Sequence, residues 1–396
     1  MMKYQLAQAA HHLQGQPMFK VLAKVKELEA KGIDVCHFEI GDPDFHTPQN
    51  IVEAACKSLQ SGDTHYETSD GNIDFRKVIC DTTEKNRGFR PDLSQVLVTP
   101  GANIIIYYAV RCLVNPGDDV LVPDPGFPTY YSVLDFCGVN PIRVPLREED
   151  GFRMNPDLVE QSITKSTRMI ILNSPHNPTG ATMTPDEIKR IYEIAEEHDI
   201  YIYSDEIYSR MIFDDDYVFA TPAIYDQCRK RTIIANGFSK AFAMTGWRLG
   251  TSIAPTFLTE KMSLLLQTTS SCVSPFLQKA GIEAITGSQD DINKMMKEYK
   301  ERRDLLVDGL NDIDGITCLR PGGSFYVFPN IKGTGLNSEQ FADLMLEKGH
   351  VSLLPGTNFG IYGEGYVRLC YATSKERILE GLKRIKKALK KDAEEQ

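Results

Sequence analysis

From residue 95 to residue 237 the chain repeats one pattern: a short run rich in Val, Ile and Leu, a loop, then an amphipathic stretch. QVLVTP leads into ANIIIYYAVRCLVNPG, DVLVPDPG into TYYSVLDFCG, and RMIILNSP into TPDEIKRIYEIAEEHD, with IYIYSDE and TIIANGFS following. Strands buried on both faces read as continuous apolar runs, and helices between them cover those faces. The pattern therefore predicts an α/β large domain, a mostly parallel sheet flanked by helices. In such sheets ligands gather beyond the carboxyl ends of the strands. Gly101, Asp124, Asn177, Asp205 and Lys240 each follow one of the apolar runs.

Beyond about residue 255 the pattern changes. TFLTEKMSLLLQTTSS and INKMMKEYKERRDLLVDGL read as long helices, SFYVFP and YVRLCY as strands, and ERILEGLKRIKKALKK as a closing helix. Near the N-terminus FKVLAKVKELEAKG and NIVEAACKSLQSG have helical spacing. With 396 residues the chain is long for one core, so a second, small α+β domain is expected.

The formal net charge of −10 argues against nucleic acid or an anionic membrane as partner, since both require a basic face. It does not argue against a small anionic substrate. Nine scattered cysteines without a CxxC pair read as reduced thiols. No HExxH or HxxxH pattern occurs, so no metal site is expected. MMKYQLAQAAHHLQGQP has no apolar core of signal-peptide length, and the chain reads as cytoplasmic.

Lys240 is the only charged residue from Thr232 through Trp247. A lysine among uncharged groups loses hydration of its ammonium form, which favours a neutral, nucleophilic amine. A surface lysine beside a buried segment would read the same way. Its neighbours Ser239 and Arg248 are phosphate-binding types. Asp205 ends an apolar run and needs a cationic partner, either a structural one or a protonated ring nitrogen, with Tyr208 close in sequence. NSPHNPTG forces an irregular loop that places the Asn177 amide. VTPGAN runs from strand into helix, so the amides of Gly101, Ala102 and Asn103 can hold a phosphate on the helix dipole. PDPGFPTY puts Phe127 in a stiff loop, where it covers either a planar ring or the core. Arg368 inside YVRLCY requires an anionic partner.

With GDPDFHTP, THYETSDG and YVRLCYATS added in order to these segments and to FSKAFAMTGWRLG, the chain resembles the class I/II aminotransferases. These form the aspartate aminotransferase superfamily of pyridoxal-phosphate fold-type I enzymes. The resemblance implies a large cofactor-binding domain over 46–285 and a small domain of 1–45 with 286–396. It implies pyridoxal 5'-phosphate as cofactor and a Schiff base at Lys240. Arg248, Ser239 and the Gly101–Asn103 amides would hold its phosphate. Asp205 would pair with its ring nitrogen, Tyr208 and Asn177 with its hydroxyl oxygen, and Phe127 would stack on it. Arg368, Asn177 and Gly41 would bind the substrate carboxylate. Tyr66 would reach a neighbouring subunit, which implies a homodimer with shared sites. The implied reaction is ping-pong transfer of an α-amino group between amino acids and 2-oxo acids. β-Lyases and ACC-synthase-like eliminating enzymes on the same fold remain an alternative, as does a non-catalytic sensor domain of a transcription regulator. Phe19, Lys20, Tyr131, Phe325 and Tyr326 are candidate side-chain contacts, and they leave the amino donor open.

Overall fold

A computed structural model describes residues 6–11, 13, 15–213, 217 and 219–395. His12 and residues 1–5 of the N-terminal segment lie outside the described residues. After the two-residue strand β1 (Cys36–His37), the chain builds the central sheet. Its strands are β2 (Val96–Thr99), β3 (Asp119–Asp124), β4 (Asn140–Pro145), β5 (Thr167–Asn173), β6 (Tyr201–Asp205), β7 (Thr232–Gly237) and β8 (Gly250–Ile253). The seven-stranded order is β2-β8-β7-β6-β5-β3-β4. Only β8 runs against its neighbours; the other adjacent pairs are parallel. The α/β expectation holds.

Helices cover the sheet because the sequence starts and stops them there. Thr184 and Glu187 cap each other's backbone amides ahead of the helix Pro185–Glu197, whose Pro185 needs no donor. Asn72 caps Ile73–Arg87, and Gly88 ends that helix at φ 77°. The strands β9 (Tyr326–Val327), β10 (Val351–Ser352), β11 (Leu354–Pro355) and β12 (Val367–Cys370) follow. β11, β12 and β9 form a three-stranded antiparallel sheet. β1 lies parallel to β10, Cys36 opposite Val351, so an N-terminal segment completes a C-terminal element.

Two strands escape the apolar-run reading. β4 holds two prolines and an arginine, residues tolerated because it is the sheet edge. β8 is only four residues long, buried throughout. The strand expected over SFYVFP shortens to Tyr326–Val327. All nine cysteines are free thiols. No helix among the described residues is long and apolar enough to cross a membrane.

The helix Pro17–Glu29 is tied down by an ionic relay. His37 Nε2 lies 3.0 Å from Glu29 Oε1, and His37 Nδ1 lies 2.9 Å from Glu39 Oε1 on a fully buried carboxylate. The hydrogen bond to Glu39 pushes the imidazole up to about 9, against the effect of burial. A raised folded-state value contributes stability below the ordinary 6.5 that is lost as pH rises through 9. Thermal unfolding should therefore drop to lower temperature across that window. His37→Gln should flatten this part of the profile; an unchanged profile in the variant would show the relay contributes nothing.

Candidate active site

The parallel strands β5, β6 and β7 end along one edge of the sheet; Asp205 closes β6, and the loops beyond β5 and β7 carry Asn177 and Lys240. β2 ends on the same edge and delivers Gly101 to Asn103 at the start of the helix Asn103–Leu113. These segments surround a cavity of about 450 Å³. Gly41, Ala102, Asn103, Phe127, Asn177, Asp205, Tyr208, Ser239, Lys240 and Arg248 all line it. Positions scattered over the sequence are thus brought to one place by strand order.

Lys240 Nζ donates to the Gly41 carbonyl at 2.6 Å and stands 5.4 Å from the Phe325 ring centroid. No carboxylate bonds to it among the described residues. Burial pulls the amine down to about 8, and the Arg368 and Arg248 charges act in the same direction. Asp205 sits at the end of β6 with two neutral donors: Tyr130 Oη at 2.6 Å on Oδ2 and the Ile207 amide at 3.2 Å on Oδ1. Burial raises its carboxyl to about 6, while both hydrogen bonds oppose the rise. A half-buried carboxylate with no cation among the described residues can accept one.

Arg248 is held at φ 54° and donates to the Thr245 carbonyl at 3.0 Å. Its guanidinium lies against Gly101, where φ is 84° and a methyl group would collide with it. The glycine both adopts the left-handed turn and admits the arginine. With Ser239 and the start of the helix at Ala102 and Asn103, Arg248 gathers hydrogen-bond donors at this end of the cavity. The Gly101 amide, expected among them, is engaged instead: it donates to the Thr99 carbonyl at 2.8 Å, and Gly101 stands outside the lining.

Arg368 is fully buried and lies behind the cavity wall rather than in it. Its Nη1 donates to Asn177 Oδ1 at 3.2 Å and its Nη2 to the Glu39 carbonyl at 2.5 Å, while Nε has no partner among the described residues. Tyr326 and Phe359 stack on it, at 4.3 and 4.8 Å from the ring centroids. Of these partners Asn177 and Tyr326 also line the cavity. Tyr208 donates to Tyr326 Oη at 3.2 Å, and burial pushes the Tyr208 phenol well above its ordinary value. Phe127 meets Tyr130 edge-on, 5.6 Å between centroids. Tyr66 is 89% exposed and stands outside the cavity of its own chain.

Some expectations are corrected. Tyr131 turns away: its hydroxyl donates to the Pro123 carbonyl at 2.7 Å, and Arg143 covers its ring. Lys20 is exposed and does not line the cavity; its neighbours Met18 and Phe19 do. Phe325 is buried behind Lys240 rather than facing the cavity. Asp124, at a strand end like Asp205, is saturated by Arg143 at 2.5 Å and by the Ile361 and Tyr362 amides. Its role is to hold a loop. Sequence reasoning missed Tyr130 and Asn173, which hold Asp205 and the Asn177 amide. Both belong to quoted motifs, but only the fold reveals which way each points.

The profile of the family described as aminotransferase class I and II matches residues 33–385. The aspartate aminotransferase of Pyrococcus horikoshii is 44% identical over 372 residues, spanning 93% of this chain and 94% of that one. The aromatic-amino-acid aminotransferase 2 of Thermococcus litoralis is 38% identical, over 91% and 93% of the two chains. The crystal structure of the aspartate aminotransferase from Rhizobium meliloti superposes with a TM-score of 0.93 at 31% identity, covering 98% of this chain and 99% of that one. These relatives speak for amino-group transfer, and the eliminating alternative is not favoured. The chain belongs to the aminotransferase class I and II family, and its activity is that of an amino acid aminotransferase.

Proposed function

We propose that this aminotransferase works on pyridoxal 5'-phosphate held in the 450 Å³ cavity, moving an α-amino group from an amino acid to a 2-oxo acid. One observation carries the reading. An amine with no acid partner, a carboxylate with no cation, both among the described residues, and a set of anion donors line a single cavity at the carboxyl edge of the sheet. The residues suit the group's chemistry. Arg248, Ser239 and the Ala102 and Asn103 amides match a phosphate, with Gly101 making room for the arginine. Asp205 matches a protonated ring nitrogen, Tyr208 and Asn177 a ring oxygen, and Phe127 a planar face. When bound, the cofactor supplies a sink for the electrons left by a broken Cα–H bond.

The chain's own groups do the rest. Lys240 would hold the cofactor, and its unprotonated amine is placed to take the Cα proton and return it. The low value of its amine keeps a useful fraction unprotonated near neutrality. Asp205, anchored by Tyr130, fixes negative charge at one end of the site without needing to move. Arg368 and Asn177 orient the amino acid through its carboxylate. Arg368 is sealed off in this arrangement, so a carboxylate must take over Asn177 as it reaches the unpartnered Nε. The exposed Tyr66 supports a homodimer in which it serves the neighbouring site; sedimentation at a monomeric mass would remove that part. The β1–β10 pairing supports a small domain in which the N-terminal segment joins 286–396.

The experiment is a panel of amino donors with 2-oxoglutarate, scored for the new amino acid. Oxo acid and ammonia released without an acceptor would instead indicate elimination. In the same assay Arg368→Ala should raise KM for every donor by about 10²-fold, with cofactor content unchanged. Equal apparent affinities in variant and wild type would remove Arg368 from substrate binding.

A further inference from the structure

A second cavity, of about 340 Å³, backs onto the first. Ile207 lines both. A methyl group added at Gly237, in the second cavity's wall, would lie 3.1 Å from Ile207 Cδ1 and 3.2 Å from Ala102 Cβ. The partition is thus one side chain thick, yet it separates the two spaces. Much of the second cavity is apolar, with Ile79, Phe238, Phe242 and Ile285 on its walls, and no carboxylate lines it among the described residues.

Two arginines border this space. Arg87 is engaged: its Nε donates to Glu206 Oε2 at 3.0 Å, and it stands over Phe219. Arg210 has no carboxylate among the described residues. Its Nη2 makes a 3.2 Å hydrogen bond to Gln289 Oε1, and its guanidinium lies 4.8 Å from the Phe242 ring centroid. Among the described residues the rest of its donor fork makes no hydrogen bond. Arg210 is exposed, and a guanidinium over an aromatic ring at the mouth of an apolar cavity can bind a carboxylate head while the walls take a hydrophobic body.

We propose that this cavity is a second ligand site for a small amphipathic monocarboxylate, aromatic or branched aliphatic. Its carboxylate pairs with Arg210 and its body lies against Phe238, Phe242 and Ile285. The inference stands on the geometry of this cavity; only the use of 2-oxoglutarate in its test rests on the reading of the first.

Calorimetric titration of the intact protein with 4-phenylbutyrate tests it, with excess 2-oxoglutarate present to fill the first cavity. Saturable binding is expected, about tenfold weaker in Arg210→Gln. It should be lost in Asn86→Trp, where an exposed lining residue becomes a plug. The uncharged 4-phenylbutyramide should bind wild type about tenfold more weakly than the acid, a comparison that needs no variant to fold. Absence of saturable heat, equal affinity for acid and amide, or binding indifferent to both substitutions would each overturn the proposal.

Discussion

Lys240→Ala should lose turnover by at least about 10⁴-fold and still fold. The amine is the one group in the cavity placed to be both nucleophile and base: it makes its hydrogen bond to a backbone carbonyl, pairs with no acid among the described residues, and is held near 8 by burial. Removing it takes away an amine whose charged form is disfavoured by its surroundings, and the side chain leaves space that joins an existing cavity. Little stability should therefore be lost. Lys240→Arg should be nearly as inactive, since a guanidinium cannot be deprotonated at working pH. Amino-group transfer rates and thermal unfolding of the variants against wild type decide the matter. Wild-type turnover in the alanine variant would end the assignment, and borohydride labelling of a different lysine would do so independently.

Asp205→Asn should cut turnover by about 10²- to 10³-fold with cofactor content nearly unchanged. The amide oxygen can still accept from the Ile207 amide or the Tyr130 hydroxyl, so the local geometry survives and only the charge goes. A second readout needs no catalysis. In the cofactor-free protein burial lifts this carboxyl from 3.8 to about 6. A raised value means the folded state holds the proton more tightly. The group's contribution is complete below 3.8 and is lost as pH rises through 6. The cofactor-free wild type should lose stability across that interval, and the asparagine variant should not show this loss. Matching profiles would mean that Asp205 is not half-buried without a cation as the structure has it.

The legible part of the site was that which local chemistry forces. An arginine in an apolar strand, a carboxylate closing an apolar run, a lone lysine in an uncharged segment and a proline-stiffened loop each violate burial rules, and each marks a site position. Asp124 shows the limit. It satisfies the same local criteria as Asp205, but Arg143 from the edge strand and two backbone amides neutralise it. Those partners come from β4 and from beyond residue 360, and nothing in PDPGFPTY announces them.

Strand periodicity and burial conflicts along the chain were enough to establish the α/β class, the common edge where Gly101, Asn177, Asp205 and Lys240 meet, and the chemical type of each group. Short edge or antiparallel strands, the inward turn of Tyr130, the outward turn of Tyr131 and the sealing of Arg368 were settled only in three dimensions. The reason is physical. Periodicity reports which residues leave water, a property local to each segment, whereas the direction of a side chain and the partner that neutralises it depend on contacts with other segments that the fold brings alongside.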